Sequence, residues 1–182
     1  MKHCAHPSLH DRMVQVLAHL ARSFGTVDKT KLMKLVYLAD RSALQSLERP
    51  ITYDDFKKLK NGPVAEDIYA GLFSARHDKP WTDAFEFHGT EVTLKDPEFT
   101  NDLLSEAELD VLDEIIDTYG KLSREELIGL VHGKEEWLRS NFRTRTTFEY
   151  EDILDAMGMS KAKIRRVLKT VQTARAIAHA QK

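Results

Sequence analysis

An apolar helix in the first third of the chain constrains the fold more than any other feature. Its apolar residues recur at three- to four-residue spacing and leave only a narrow polar edge, which is typical of a mostly buried helix. These residues are Leu32, Leu35, Val36 and Ala39. Asp28 or Thr30 is placed to cap the start of the helix, and we expect it to run to about Leu47. The rest of the fold should pack around it.

Two breaks follow this helix. Pro50 ends it, and Asn61-Gly62-Pro63 predicts a sharp turn because glycine tolerates a positive φ and proline fixes its own φ. A new helix is expected from about Ala65 to Ala75, with Ile68, Leu72, Tyr69 and Phe73 facing inward. Residues 52–60 fit either a short helix or an extended segment, and the spacing of Tyr53, Phe56 and Leu59 favours a helical turn.

The order of these motifs resembles a known family. LVYLADR, PITYDD and LKNGPVAEDIY together resemble the signature of the Panacea domain, also called the SocA-like antitoxin domain. A later segment, LSEAELDVLDEIIDTYGKLSREELIGLVHGKEEW, resembles the second half of that family, in which paired LS-x-x-E-L helix starts precede a His and a Trp. The motifs span roughly Thr30 to Trp137. The resemblance identifies residues 1–140 as a Panacea domain, followed by a linker and helical extension in residues 141–182.

The resemblance also implies a function. Panacea antitoxins bind a cognate protein toxin encoded by an adjacent gene, and SocA-type members deliver the toxin to a AAA+ protease such as ClpXP. Blocking and targeted proteolysis both remain open for this chain. We therefore expect a binding protein without cofactor and not an enzyme. The residues expected to contact the partner lie in or near the quoted motifs: Tyr37, Asp40, Arg41, Lys60, Asn61, Gly62, Pro63 and Tyr69. A purely structural hydrogen-bonding role explains Tyr37, Asp40 and Tyr69 as well.

The remaining pattern predicts a mainly α (α+β) fold with a small β-hairpin and a C-terminal amphipathic basic helix. Ser8 is a predicted helix cap, and Ser105 and Ser123 each begin a capping box with a Glu three residues later. Alternating apolar residues around His88-Gly89-Thr90-Glu91 predict the hairpin, which must pack on the helices because a lone two-stranded ribbon is marginal. Residues 141–147 resemble a linker.

The single cysteine and the short apolar runs favour a cytoplasmic protein. Its 182 residues contain one cysteine, Cys4, so no internal disulfide forms, and no apolar run is long enough for a membrane span. The first seven residues should form a loose tail. His3 has the third position that suits a planar Cu(II) or Ni(II) site with a free terminal amine, although a tail without metal is favoured.

The net charge of −2 conceals a strong segregation of charge. Residues 1–82 carry 13 basic and 9 acidic side chains, residues 83–155 carry 7 and 20, and residues 156–182 carry 7 and none, giving +4, −13 and +7. The basic last helix suggests an alternative function, a nucleic-acid-binding regulator. We disfavour it, since the acidic block offers counterions within the chain. Lys29, Lys31 and Lys34 are expected on a solvated face rather than in a partner-binding role.

Motifs for catalysis are missing from the sequence. It has no glycine-rich phosphate loop, no Gly-x-Ser-x-Gly, no HExxH and no CxxC. The adjacent pairs Asp54-Asp55 and Glu135-Glu136 are expected to be surface charge, because neighbouring side chains diverge on a regular element. His132 and Trp137 either line a pocket or pack together at a helix end, and packing is favoured.

Overall fold

The fold is mainly α-helical with two small antiparallel sheets, which confirms the predicted class. The computed structural model describes residues 8–138 and 147–180; the expected tail with His3 and Cys4, and the expected linker up to residue 146, lie outside the described residues. The helices described are α1 (Leu9–Arg22), α2 (Lys29–Ser46), α3 (Glu66–Phe73), α4 (Trp81–Ala84), α5 (Glu106–Tyr119), α6 (Arg124–His132), α7 (Glu135–Leu138), α8 (Tyr150–Ala156) and α9 (Lys161–Ala180). The strands described are β1 (Thr26–Asp28), β2 (Phe56–Leu59), β3 (Gly62–Ala65), β4 (Phe85–His88), β5 (Glu91–Leu94) and β6 (Thr147–Phe148).

Helix α2 lies at the centre of the core, as its apolar pattern predicts. It contacts α1, α3, α5, α6, β1 and β3, and its apolar residues from Leu32 to Leu44 are almost completely buried. Asp28 caps the helix by accepting a hydrogen bond from the backbone N–H of Lys31 at 2.9 Å. Burying an aliphatic side chain contributes roughly 1.5–3 kcal/mol to the free energy of folding, so this helix makes a large contribution to stability.

The predicted β-hairpin forms from β4 and β5, with Phe85 opposite Leu94 and His88 opposite Glu91. It is not a lone ribbon, because β1 pairs antiparallel with β5 and makes a third strand. Val92 and Phe85 on its inner face are buried. The third strand and this buried face together hold the hairpin on the helical core.

The segment before the Asn-Gly-Pro turn is a strand, so the favoured helical turn at residues 52–60 was wrong. Phe56–Leu59 pairs antiparallel with Gly62–Ala65, and β6 pairs with the other edge of β2. Phe56 and Lys58 are buried while Lys57 and Leu59 are only half-buried, which is the two-residue period of a strand. The three-residue spacing of the apolar residues fitted a helix by coincidence. Hairpin pairing across the turn decided the structure.

The helix starts follow the predicted capping chemistry. In α1, α5 and α6 the hydroxyl of Ser8, Ser105 or Ser123 faces the N3 backbone N–H, and the acidic side chain at N3 accepts from the cap's own N–H. Ser160 caps α9, accepting from the backbone N–H of Lys163 at 3.4 Å. Local sequence therefore determined where these four helices begin.

The C-terminal helix lies against the rest of the chain through an apolar face that buries Ile164, Val167 and Val171. Ile177, near the end of the helix, is 55% exposed. Upstream of α9, the Tyr150 hydroxyl donates to the backbone oxygen of Asp54 at 2.6 Å.

Basic side chains add polar links between α9 and the first part of the chain. Arg175 Nε donates to the backbone oxygen of Tyr53 at 3.0 Å, and its guanidinium pairs with Asp55 at 2.8 Å. Lys163 and Arg166 pair with Glu48 at 3.2 and 2.7 Å. These ion pairs reach residues of the first charge block rather than the acidic block at residues 83–155.

Candidate partner-binding surface

The residues predicted to contact a partner fall into a buried and an exposed set. We call residues 60–63, at the tip of the β2–β3 hairpin, the corner. Lys60 and Asn61 are exposed, whereas Gly62 and Pro63 are buried. Lys34 Nζ donates to the Pro63 oxygen at 2.9 Å, and burial lowers the pKa of Lys34 to about 8.

Gly62 is required by the geometry of the corner. Its φ is +105°, and a Cβ added there would lie 2.8 Å from Val131 Cγ2 and 3.1 Å from Lys34 Nζ. The hairpin backbone therefore sits directly against α6 and the Lys34 side chain, with no room for a side chain between them.

Tyr37 and Arg41 converge on one buried carboxylate, that of Glu136. The Tyr37 hydroxyl donates to Glu136 Oε1 at 2.5 Å, and Arg41 Nε donates to the same oxygen at 2.7 Å. Burial acts to raise the pKa of Glu136, but the Arg41 and Tyr37 hydrogen bonds outweigh it and the pKa is lowered. The expectation that Glu135-Glu136 is surface charge was therefore wrong for Glu136, whose side chain has no exposed surface.

Asp40 fixes the chain immediately after α2. Its carboxylate accepts hydrogen bonds from the backbone N–H groups of Ile51 and Thr52, at 2.6 and 2.9 Å, and from the Thr52 hydroxyl. Burial raises the pKa of Asp40 to about 6, while the three hydrogen bonds act in the opposite direction. Asp40 thus holds the loop that leads from α2 into β2.

Asp54 performs a similar task for α3. Helix α3 has no side-chain cap of its own, and Asp54 accepts from the backbone N–H groups of Asp67 at 3.1 Å and Ile68 at 3.0 Å. Burial raises the pKa of Asp54 to about 7. Asp54 is only 3% exposed, so the prediction of surface charge at Asp54-Asp55 was also wrong for its first member.

Two aromatic side chains on α3 point outward, contrary to the prediction. Ile68 and Leu72 are buried as expected, but Tyr69 and Phe73 are 39% and 38% exposed. Their rings stack on each other at a centroid distance of 4.8 Å. Both pairs have i, i+4 spacing, and only Ile68 and Leu72 face the core.

Next to these two rings lie Lys29 and the partly buried ring of Phe87 in β4. Lys29 Nζ is 5.5 Å from the centroid of the Phe73 ring and 5.3 Å from that of Phe87. His77 stacks on Phe87 at 3.5 Å. We call Tyr69, Phe73, His77, Phe87 and Lys29 the aromatic patch.

The three lysines at the start of α2 do not form a solvated face. Lys29 and Lys34 are 5% and 0% exposed, and Lys31 is half-buried, with Nζ donating to the Gly120 oxygen at 2.7 Å. That prediction was wrong because the long aliphatic stems pack on neighbouring rings and strands. A helical pattern alone does not reveal such packing.

His132 and Trp137 pack on each other, which is the arrangement that the sequence analysis favoured over lining a pocket. Their rings are parallel, with centroids 4.5 Å apart. Burial and the nearby Lys34 charge lower the pKa of His132. Among the residues that the structure describes, no three His, Cys, Asp or Glu side chains are arranged to hold a metal ion, and no helix is long and apolar enough to cross a membrane.

A family model, described as the antitoxin SocA-like Panacea domain, matches residues 32–138, well over half of the chain. The chain belongs to the SocA-like Panacea antitoxin family. Searches of curated proteins and of solved structures give no match. The Panacea match runs from the first turn of α2 to the end of α7 and includes all eight residues predicted to contact a partner. Lys29 and the helices α8 and α9 lie outside it.

Proposed function

We propose that this Panacea-family protein is an antitoxin that binds a protein toxin encoded by an adjacent gene and neutralises it in a direct complex, without catalysing a reaction. The observation that carries the proposal is the exposed, stacked pair Tyr69 and Phe73 on a Panacea-domain helix. Aromatic side chains are enriched among the residues that dominate protein–protein binding energy. A cytoplasmic site of action follows from the same proposal.

The framework around this pair suits a binding surface that needs little rearrangement. Asp54 holds the first turn of α3, and Asp40 holds the loop before β2. A surface that is already ordered loses less conformational entropy when a partner binds. We therefore expect the toxin to dock on α3 without a large change in the antitoxin.

The direct test is co-expression with the product of the neighbouring open reading frame. The wild-type chain should restore growth and co-purify with that product. The double variant Tyr69→Ala/Phe73→Ala should lose both activities, whereas Leu138→Ala, which removes an apolar side chain that is 68% exposed elsewhere, should retain them. Continued growth arrest despite expression of the folded wild-type chain would refute the proposal.

The route of neutralisation calls for a separate measurement. If the protein is a proteolytic adaptor, purified ClpXP should degrade the toxin several times faster when the antitoxin is present. If it acts by blocking, the toxin half-life should stay constant or lengthen while its activity falls. Both results are compatible with a complex, and they distinguish targeted proteolysis from blocking.

The nucleic-acid alternative depends on cations that α9 keeps exposed. Arg175, Lys163 and Arg166 are engaged in ion pairs within the chain. Lys161, Arg165 and Lys169 are exposed at four-residue spacing on one side of the helix. If they bind DNA, a salt-sensitive mobility shift should vanish when all three are changed to Gln; a shift absent from the wild type excludes this function.

A further inference from the structure

We propose that the Lys29 ammonium in the aromatic patch binds an Asp or Glu side chain of the partner, next to an apolar partner residue that packs on Tyr69 and Phe73. The assignment to a toxin rests on the proposed function, but the carboxylate site itself does not. It makes the antitoxin surface specific for an acidic-apolar segment.

The first argument is that the Lys29 stem is buried while its ammonium has no anionic partner among the described residues. Only 5% of its surface is exposed, and its Nζ lies between the Phe73 and Phe87 rings. Within the described part of the chain, no carboxylate or carbonyl oxygen pairs with this ammonium, whereas the neighbouring Lys31 and Lys34 donate to Gly120 and Pro63. Lys29 Nζ is not one of the fully enclosed side-chain atoms that lack a hydrogen bond among the described residues, so an anion can reach it. A partly desolvated cation gains more from an anionic partner than a fully solvated one does.

The second argument is the position of Lys29 at the first residue of α2. The N-terminus of a helix carries a partial positive charge, so a cation there is disfavoured. Burial also lowers the pKa of Lys29, because the charged form of the side chain is less well solvated there. A carboxylate of the partner would be attracted both to the Lys29 ammonium and to the positive end of the helix.

The third argument distinguishes a side-chain carboxylate from a chain terminus. Capture of a C-terminal carboxylate generally uses a nest of free backbone N–H groups. Here the Lys29 N–H already donates to the Thr90 oxygen at 2.9 Å, and the Lys31 N–H donates to Asp28. One ammonium bordered by rings suits one acidic side chain with an apolar neighbour.

Three short probes test this on the full chain by NMR. N-acetyl-Asp-Phe-amide carries a side-chain carboxylate, N-acetyl-Asn-Phe-amide is its neutral counterpart, and N-acetyl-Asn-Phe with a free carboxylate presents a terminus. We expect the first to shift the Lys29 Cε–Hε and Phe73 ring signals saturably, and to bind about tenfold more tightly than the second, as a charge-assisted hydrogen bond allows. Equal binding of the first two overturns the proposal, and preference for the third overturns the assignment to a side chain.

Substitutions test whether the preference for the aspartyl probe depends on Lys29. Lys29→Met keeps the length and packing of the stem and should abolish the preference for the aspartyl probe, while Lys29→Arg should keep it. Lys31→Met is the matched control, because Lys31 also lies over a ring, that of Phe24 at 4.6 Å, but has its own acceptor. A preference that survives in Lys29→Met overturns the proposal. Should Lys29→Met fail to fold, the Lys29 Cε–Hε signals of wild type decide: a preference for the aspartyl probe that is accompanied by shifts of these signals and not of those of Lys31 supports the proposal, and a preference without them overturns it.

The toxin assay separates the two proposals. If wild type binds the aspartyl probe but never co-purifies with the neighbouring gene product, the proposed function fails and the carboxylate site stands. If the wild-type complex forms and Lys29→Met binds the toxin as tightly as wild type does, the proposed function stands and this inference fails. We expect Lys29→Met to weaken the complex about tenfold or more.

Discussion

The corner and the aromatic patch lie at the two ends of β3 and α3, and they differ in how their side chains are used. At the corner, Pro63 accepts a hydrogen bond from Lys34, and Gly62 is packed against α6. In the patch, Tyr69 and Phe73 are exposed and Lys29 has no anionic partner among the described residues. The comparison teaches that one family signature can contain both residues that serve the fold, such as Gly62, and a residue that is left exposed, Tyr69.

The same contrast applies to the buried carboxylates. Glu136, Asp40 and Asp54 each connect distant parts of the chain, and each is saturated with donors from within it. Such groups position the elements that they connect. We therefore assign a structural role to these carboxylates, and the proposed function assigns partner binding to the exposed rings.

The largest expected effect is the loss of Glu136. Glu136→Ala leaves the Tyr37 hydroxyl and the Arg41 guanidinium without their shared acceptor, and breaking a buried pair from one side typically costs about 3–5 kcal/mol. Chemical denaturation should show that loss of unfolding free energy. Glu135→Ala, at the exposed neighbouring position, should change it by about 0.5 kcal/mol or less. Similar losses in both variants would remove the structural role assigned to Glu136.

A smaller effect is expected from a methyl group at the corner. Gly62→Ala combines a left-handed backbone with a Cβ 2.8 Å from Val131, and we expect it to lower the unfolding free energy by about 2–3 kcal/mol. Gly89→Ala is the control: its φ is also positive, +58°, but nothing lies within 4 Å of the added Cβ. It should cost about 1 kcal/mol. Equal costs would show that the corner is not tightly packed.

Counted per pH unit, the smallest effect is the pH dependence of stability that arises from Asp54. Because burial raises its pKa from 3.8 to about 7 in the folded state, the native protein holds a proton that the unfolded chain releases. The resulting stability is fully present below pH 3.8 and is lost as pH rises towards 7, with a slope of at most about 1.4 kcal/mol per pH unit. The stability of wild type relative to Asp54→Asn should therefore fall from pH 4 to 7 and then level off. A constant difference would contradict the assignment.

Much of the fold was predictable because its signals are local. Capping boxes such as Ser105 with Glu108 join residues three apart, and the β4–β5 hairpin follows from alternation around a short turn. The burial of Asp54 and Glu136 was not predictable, since their partners Ile68 and Tyr37 are 14 and 99 residues away.

The orientation of α3 shows a second limit. This eight-residue helix carries two apolar pairs, Ile68 with Leu72 and Tyr69 with Phe73, at the same i, i+4 spacing. Periodicity identifies a helix but cannot decide which of two adjacent apolar stripes meets the core. The unpartnered Lys29 was equally hidden, because its neighbours Phe73 and Phe87 come from two different elements.

Amide hydrogen exchange of this Panacea-family protein, alone and bound to the product of the neighbouring gene, tests the central claim most directly. If the partner docks on the aromatic patch, exchange should slow most in α3 and in β4, which carry Tyr69, Phe73 and Phe87, while amides of the α5 surface remain unchanged. Protection that leaves α3 and β4 at their free-state rates, in a complex that neutralises the toxin, would contradict the account.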